Sequence, residues 1–139
     1  MPDLRKDPVA GRWVIISQER AKRPSALLNT CPEEPLDKKN PFLPGQEHET
    51  PPEVLAYRPP GTKPNTPGWW VRVVPNKFPA LDSTGEIIRR GEGMYDMMSG
   101  IGVHEVVIES PEADKQLPEM DEDQVEEVIW AFRDRSVEL

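Results

Sequence analysis

The chain has 139 residues, a formal net charge of −8, and 36% hydrophobic against 30% charged side chains, which leaves room for one domain with a real core. Its 17 prolines argue against a helix bundle, and no apolar stretch approaches the roughly 20 residues that span a bilayer. One cysteine, Cys31, rules out an internal disulfide framework and fits a reducing cytoplasm, and the opening MPDLRKDPVAGRW lacks the apolar region of a secretory signal.

In chain order, Leu4 to Pro8 leads through Gly11 to Trp13-Val14-Ile15-Ile16, which predicts a turn followed by a short buried strand. Residues 17–68 are rich in proline and predict loops, with a looser piece at 29–39. From about residue 40 onward, Phe42, Leu43, Val54, Leu55 and Tyr57 supply apolar anchors for an ordered wrapping loop. Trp69, Trp70, Val71, Val73 and Val74 then predict a buried strand. Pro75 cannot donate a ladder hydrogen bond, so pairing should stop there. Asp82-Ser83-Thr84-Gly85 reads as a turn, and residues 86–98 as one or two short strands around Gly91 and Gly93. After Gly100-Ile101-Gly102, the clearest alternation in the chain, over 103–109, predicts a strand with His104, Val106 and Ile108 on one face.

The last element reads as an amphipathic helix. Asp121 is its N-cap, and Gln124 completes a pair like a capping box. Val125, Val128, Ile129, Phe132 and Leu139 form its expected apolar stripe. Acidic residues crowd its start, and Arg133 and Arg135 lie near its end, matching the helix macrodipole. No Gly or Pro stop signal follows, which predicts a domain cut short within this helix.

Charge is unevenly spread. Residues 1–40 hold eight basic and six acidic side chains, residues 41–104 six and seven, and residues 105–139 three and twelve. A solvated helix face accounts for the acidic end. The overall acidity argues against nucleic-acid binding, which needs a basic surface. It is compatible with a small phosphorylated ligand held by a few arginines.

Three segments suit such a ligand. Arg20-Ala21-Lys22-Arg23-Pro24 sets two guanidinium forks three residues apart beside a stiffening proline, an arrangement able to grip one anion; a solvated basic turn is the plainer reading. Phe42 and Leu43, in the proline-stiffened Asn40–Glu47 loop, suit one wall of a slot for a planar base or, more plainly, ordinary core closure. Asn76-Lys77-Phe78, just past Pro75, combines an amide, an ammonium and an aromatic face, which suits ribose or phosphate oxygens beside a base. His48 sits among acids in a loop, and His104 reads as a hydrogen-bonded structural histidine. One cysteine and two isolated histidines do not make a metal site, and neither Gly91-Glu92-Gly93 nor Gly100-Ile101-Gly102 makes a phosphate loop.

Five pieces, LRKDPVAGRWVII at 4–16, RAKRP at 20–24, NPFLPGQEHETPPEV at 40–54, WWVRVVPNKFPAL at 69–81 and GIGVHEVVIESP at 100–111, resemble the N-terminal half of galactose-1-phosphate uridylyltransferase, a branch of the histidine-triad superfamily. They occur in the family's order over nearly the whole chain. The resemblance implies an α+β fold, an antiparallel half-barrel sheet with a flanking helix, and a homodimer. It implies uridylyl transfer between glucose 1-phosphate and galactose 1-phosphate, with UDP-glucose as the nucleotide sugar, through a histidine of a His-Pro-His motif. Histidine accepts phosphoryl groups well near neutral pH, and arginine forks stabilise the charge that builds on phosphorus. By the same resemblance, Phe42, Asn76, Lys77 and Phe78 surround the nucleoside, and Arg20 and Arg23 meet the phosphates across the dimer interface.

This sequence departs from the family pattern in two places. Asn40, Leu43 and Ala113 stand where metal-binding members carry zinc ligands, so no zinc is expected. No His-x-His occurs in the 139 residues, so the chain alone is not expected to perform the covalent step. Three readings stand beside a uridylyltransferase half: a non-catalytic nucleotide-binding or dimerisation module, half of a related nucleotide phosphorylase acting on an adenine nucleotide, and a product without a stable fold.

Overall fold

The computed structural model describes residues 2–17 and 40–139. They divide into two compact units, one holding 2–17 and 78–104 and the other 40–77 and 105–139. Arg20, Arg23, Cys31 and the looser piece expected at 29–39 lie outside the described residues.

The first unit is built on an antiparallel sheet of four strands, β1 (Asp3–Lys6), β2 (Trp13–Ile16), β5 (Arg89–Glu92) and β6 (Tyr95–Ser99), in the order β2-β1-β6-β5. The expected turn before Trp13 therefore starts later than the sequence suggests, because Asp3–Lys6 is itself a strand. The reversal falls at Asp7–Arg12, where the Asp7 N–H donates to the Arg12 carbonyl at 2.8 Å. Gly11 there has φ +69°, a conformation other residues rarely adopt. β1 is an interior strand, pairing Leu4 with Ile15 on one side and with Met98 on the other. The segment expected to hold one or two short strands holds two, β5 and β6, paired as a hairpin. Gly93 (φ +61°) makes its turn, and Gly91 lies inside β5.

β2 forms where expected, but it is not buried. Trp13, Val14, Ile15 and Ile16 are all 38–48% exposed, because β2 is a sheet edge and no described layer of its unit covers it. Gly100 follows β6 at a close approach. Its N–H donates to the Pro2 carbonyl at 2.8 Å, and an added Cβ would lie 2.8 Å from the same oxygen. Asp82 and Ile101 form a parallel bridge. Asp82 Oδ1 accepts from the Thr84 N–H and hydroxyl, closing the expected turn. These bonds to Thr84 hold the Asp82 carboxyl below its ordinary pKa.

The second unit is a three-stranded antiparallel sheet, β3 (Leu55–Tyr57), β4 (Val71–Pro75) and β7 (Glu105–Ile108), in the order β3-β4-β7, with helix α1 (Glu122–Glu138) on one face. β3 falls inside the segment read as loop from its prolines. Its three residues pair with Val71, Arg72 and Val73, and that neighbour supplies the stability its short pattern lacks. β4 is the central strand and ends at Pro75, as the missing N–H requires. Val71, Val73 and Val74 are at most 1% exposed, and burying a side chain of this size contributes about 1.5–3 kcal/mol. The strict period of two sorts the faces. Val71, Leu55, Tyr57 and Val107 pack with Val128 and Ala131 of α1, while Val74, Ala56, Val106 and Ile108 pack with Trp69.

Asp121 caps α1 as expected, its Oδ1 accepting from the Gln124 N–H at 2.8 Å. The Gln124 side chain does not close a capping box. Its Nε2 donates instead to the Trp70 and Glu109 carbonyls, so it fastens the helix to the sheet. The buried positions of α1 are Val128 and Ala131. Ile129, Phe132 and Leu139 of the expected stripe are 60%, 46% and 66% exposed. The helix is rolled relative to that stripe because a narrow three-stranded sheet covers only a narrow face. No helix among the described residues is long and apolar enough to cross a membrane.

Candidate functional site

Pro75 stands opposite Glu105 in the β4–β7 ladder, and Asn76 and Lys77 follow it immediately. Asn76 is half-buried, Lys77 is exposed, and Phe78 is 60% exposed. Phe42, Asn76 and Lys77 belong to the second unit and Phe78 to the first.

The Phe42 loop is held by its own polar atoms. Asn40 Oδ1 accepts from the Phe42 N–H at 3.0 Å, and the Asn40 carbonyl accepts from the Leu43 N–H. Gly45 turns the chain at φ +89° and donates its N–H to Glu47 Oε2 at 2.9 Å. Glu47 is 5% exposed, and its other oxygen accepts from Trp69 Nε1 at 2.9 Å. One buried carboxylate thus ties the loop carrying Phe42 to the residue that leads into β4. Phe42 itself is 38% exposed.

A second set of polar groups lies on the face of β4 opposite the helix. Arg72 is 1% exposed. Its Nε donates to Glu53 Oε2 at 2.9 Å, Nη1 to Thr50 Oγ1 at 2.9 Å, and Nη2 to Asn65 Oδ1 at 3.3 Å. Arg58 Nη2 also donates to both Glu53 oxygens, each at 2.6 Å. Arg58 Nη1 donates to the Lys63 and Thr66 carbonyls, closing the 59–66 loop. Asn65 holds φ +56°, and its Oδ1 also accepts the Glu53 N–H. Sequence reasoning passed over Glu47, Thr50, Glu53, Arg58 and Arg72. One signal was available: an arginine between valines on a strand otherwise read as buried must bring its own counter-charge.

On the helix side, Tyr57 Oη donates to Asp134 Oδ2 at 2.7 Å. Burial, then this bond and the nearby acidic charge, push the Tyr57 phenol up to about 12. Arg135 Nε and Nη2 donate to Glu105 Oε2 and Oε1 at 2.8 and 2.7 Å, and Nη1 pairs with Glu138. These bonds, led by the one to Glu105, raise the Arg135 pKa.

The two histidines sit in different settings. His48 has a 69% exposed side chain, 3.4 Å from Glu49. His104 lies just before β7, and its Nδ1 accepts the Ala80 N–H at 3.0 Å. That is the structural role expected of it, and it fixes the chain shortly after Phe78. Among the described residues, no cluster of three or more His, Cys, Asp or Glu is able to hold a metal ion. Where the resemblance implies zinc ligands, Asn40 spends its side-chain amide oxygen on the Phe42 N–H, and the Leu43 and Ala113 side chains carry no donor atom. These residues do not fit the ion. One open groove lies elsewhere, along α1 beside Leu117 and Met120, and none of the candidate residues line it.

The sequence matches a family described as galactose-1-phosphate uridyl transferase, N-terminal domain, over residues 1–139. The chain belongs to this family. It is 39% identical over 138 residues to the ADP-glucose phosphorylase of Arabidopsis thaliana, a match that covers 96% of this chain and 38% of that protein. The crystal structure of an ADP-glucose phosphorylase from Arabidopsis thaliana with bound ADP-glucose matches at a TM-score of 0.52 and 35% identity, over 99% of this chain and 38% of that one. A GalT-like protein from Arabidopsis thaliana matches at 0.54 and 34%, over 97% and 35% of the two chains. A uridylyltransferase structure matches at 0.60 over 98% and 34%; at 22% identity it shares the fold. The family match agrees with the resemblance read from the five motifs, and the expected α+β class, antiparallel with a flanking helix, is the class observed. The chain spans 38% of the length of the curated relative.

Proposed function

We propose that this chain is the nucleotide-sugar-binding N-terminal part of an enzyme that transfers a nucleotidyl group to or from a hexose 1-phosphate. The observation that carries this reading is the strand end. A rigid central strand stops at Pro75 and presents Asn76 and Lys77, with Phe78 following, in a chain that matches the family over all its residues. Asn76 and Lys77 suit the ribose and phosphate oxygens, and Phe78 and Phe42 suit the faces of a base. Arg20 and Arg23 are assigned to the phosphates. The 39% likeness to an ADP-glucose phosphorylase favours an adenine nucleotide sugar over UDP-glucose, and phosphorolysis over the uridylyl exchange of galactose metabolism. Homodimer formation and a cytoplasmic setting belong to the same reading.

A binding role without catalysis is the second reading. It is favoured by one observation: Asn40, Leu43 and Ala113 stand where metal-binding members of the family carry zinc ligands. It predicts binding of a nucleotide sugar and no exchange of hexose 1-phosphate.

Calorimetry of this chain with ADP-glucose and with UDP-glucose tests both readings. Stacking of a base on an aromatic ring contributes about 1–3 kcal/mol, so Phe78→Ala should weaken ADP-glucose binding about ten- to hundredfold. Asn76→Ala should weaken it further. Equal affinity in the wild type and the Asn76→Ala/Phe78→Ala variant would remove the site assignment. Tighter binding of UDP-glucose would overturn the choice of base.

A further inference from the structure

We propose that Arg135, acting through Glu105, is a positioning residue for the strand end that carries Asn76 and Lys77. The inference rests on the nucleotide-binding reading and names a part of that site that the sequence did not suggest. Glu105 is the residue paired with Pro75, where the β4–β7 ladder ends. Pro75 and Glu105 are the last residues paired in this ladder, so β7 gives β4 no partner beyond this point. The Arg135 fork supplies a restraint from the helix. Two parallel N–H···O bonds at 2.7 and 2.8 Å join side chains that are 12% and 9% exposed. A bidentate guanidinium–carboxylate pair fixes orientation as well as distance. Glu105 is thereby locked to α1, and Pro75 is locked opposite Glu105.

α1 is fastened to the same sheet at three places, and these differ in what they hold. Gln124, near the start of α1, bonds the Trp70 and Glu109 carbonyls, which flank the far ends of β4 and β7. Asp134 bonds Tyr57 at the end of β3. Arg135 alone among these three acts where β4 gives way to Asn76. Loosening the Gln124 fastening should cost stability and leave the nucleotide contacts in place. Loosening Arg135 should cost stability and also release Asn76 and Lys77 from their alignment. Lysine at 135 keeps the charge but not the fork, so it should restore only part of the alignment.

The test compares Arg135→Gln, Arg135→Lys and Gln124→Ala in the 139-residue chain, by two-dimensional NMR and by calorimetry with ADP-glucose. The expected NMR result is that Arg135→Gln displaces or broadens the amide resonances of Asn76 and Lys77. Arg135→Lys should do so less, and Gln124→Ala should leave them in place while moving those near Trp70 and Glu109. The expected binding result is a tenfold or greater loss of affinity in Arg135→Gln, a smaller loss in Arg135→Lys, and affinity within twofold of wild type in Gln124→Ala. Unmoved Asn76 and Lys77 resonances in Arg135→Gln would overturn the proposal. So would an equal loss of affinity in Gln124→Ala. If the wild type binds neither ADP-glucose nor UDP-glucose, the nucleotide reading fails, and the resonances still decide whether Arg135 sets this strand end. If Arg135→Gln does not fold, Glu105→Gln gives the same readout, because it removes the charge pairing while keeping one acceptor for the fork.

Discussion

Replacing Arg72 by methionine tests whether the polar groups beneath β4 act as one structural unit. The substitution keeps much of the side-chain volume and removes three donated bonds, to Glu53, Thr50 and Asn65. Taking one partner from a buried ion pair costs about 3–5 kcal/mol. Glu53 keeps Arg58 as its partner, so the expected loss lies near the lower bound, about 3 kcal/mol. Glu53→Leu should cost more, about 5 kcal/mol, because it strips the shared acceptor from two guanidinium groups at once. The expected order is therefore Glu53→Leu, then Arg72→Met, then Arg58→Met, whose guanidinium is the most exposed of the two and has loop carbonyls as its other partners. Urea unfolding followed by tryptophan fluorescence reads this directly, since Trp69 and Trp70 precede the strand. The slope should stay constant and the midpoint should fall. An Arg72→Met loss below about 1 kcal/mol, the range of an exposed pair, would refute the reasoning. A Glu53→Leu variant more stable than Arg72→Met would refute it too.

Tyr57 gives a pH prediction. Its folded pKa of about 12 lies above the ordinary 10, so its contribution is complete below pH 10 and is lost as pH rises through 12. Thermal melts across that window should show the loss, and Tyr57→Phe should flatten it while costing about 1 kcal/mol at neutral pH; an unchanged high-pH profile would contradict the Asp134 bond. Gly100→Ala should destabilise by about 1–3 kcal/mol, because its methyl would meet the Pro2 carbonyl. Gly91→Ala, which meets nothing within 4 Å, should change stability by less than about 0.5 kcal/mol, and equal effects at the two sites would dismiss the close approach. Zinc added to the purified chain should leave no stoichiometric ion in native mass spectrometry; one bound zinc per chain would show that Asn40, Leu43 and Ala113 are not where its ligands should be sought.

β7 was legible because the residues around it alternate with a period of two, and β4 because a run of β-branched and aromatic residues leads up to Pro75. Asp121 was legible because capping is local. Local pattern misled where the outcome depends on distant partners. Leu55–Tyr57 is a strand only because β4 lies beside it, and Asp3–Lys6 only because β2 and β6 flank it. Trp13–Ile16 has the composition of a buried strand, yet composition does not state which strand becomes the edge. The stripe on α1 failed for a related reason, since the sheet's width decides how much of a helix is covered. At the candidate site, Pro75 and the three residues after it were readable from one short run. The Glu47 and Glu53 attachments were not, because each joins residues far apart in sequence, and a carboxylate in a loop looks the same whether it is solvated or buried.

The interior position of β1 constrains when the first unit can form. Asp3 pairs with Ser99, so within this unit a strand synthesised early waits for one synthesised much later. At ribosomal rates of about 5–20 residues per second, that wait is on the order of 5–20 s. During it, β1 has only its hairpin with β2, a marginal structure on its own in water. Closing so long a loop costs on the order of 4 kcal/mol of chain entropy. The second unit faces a similar but lesser delay, because β7 joins β3 and β4 some thirty residues after β4 ends. A nascent chain therefore spends that interval with the apolar strand β2 paired only to β1, which is where a holding chaperone would be expected to act.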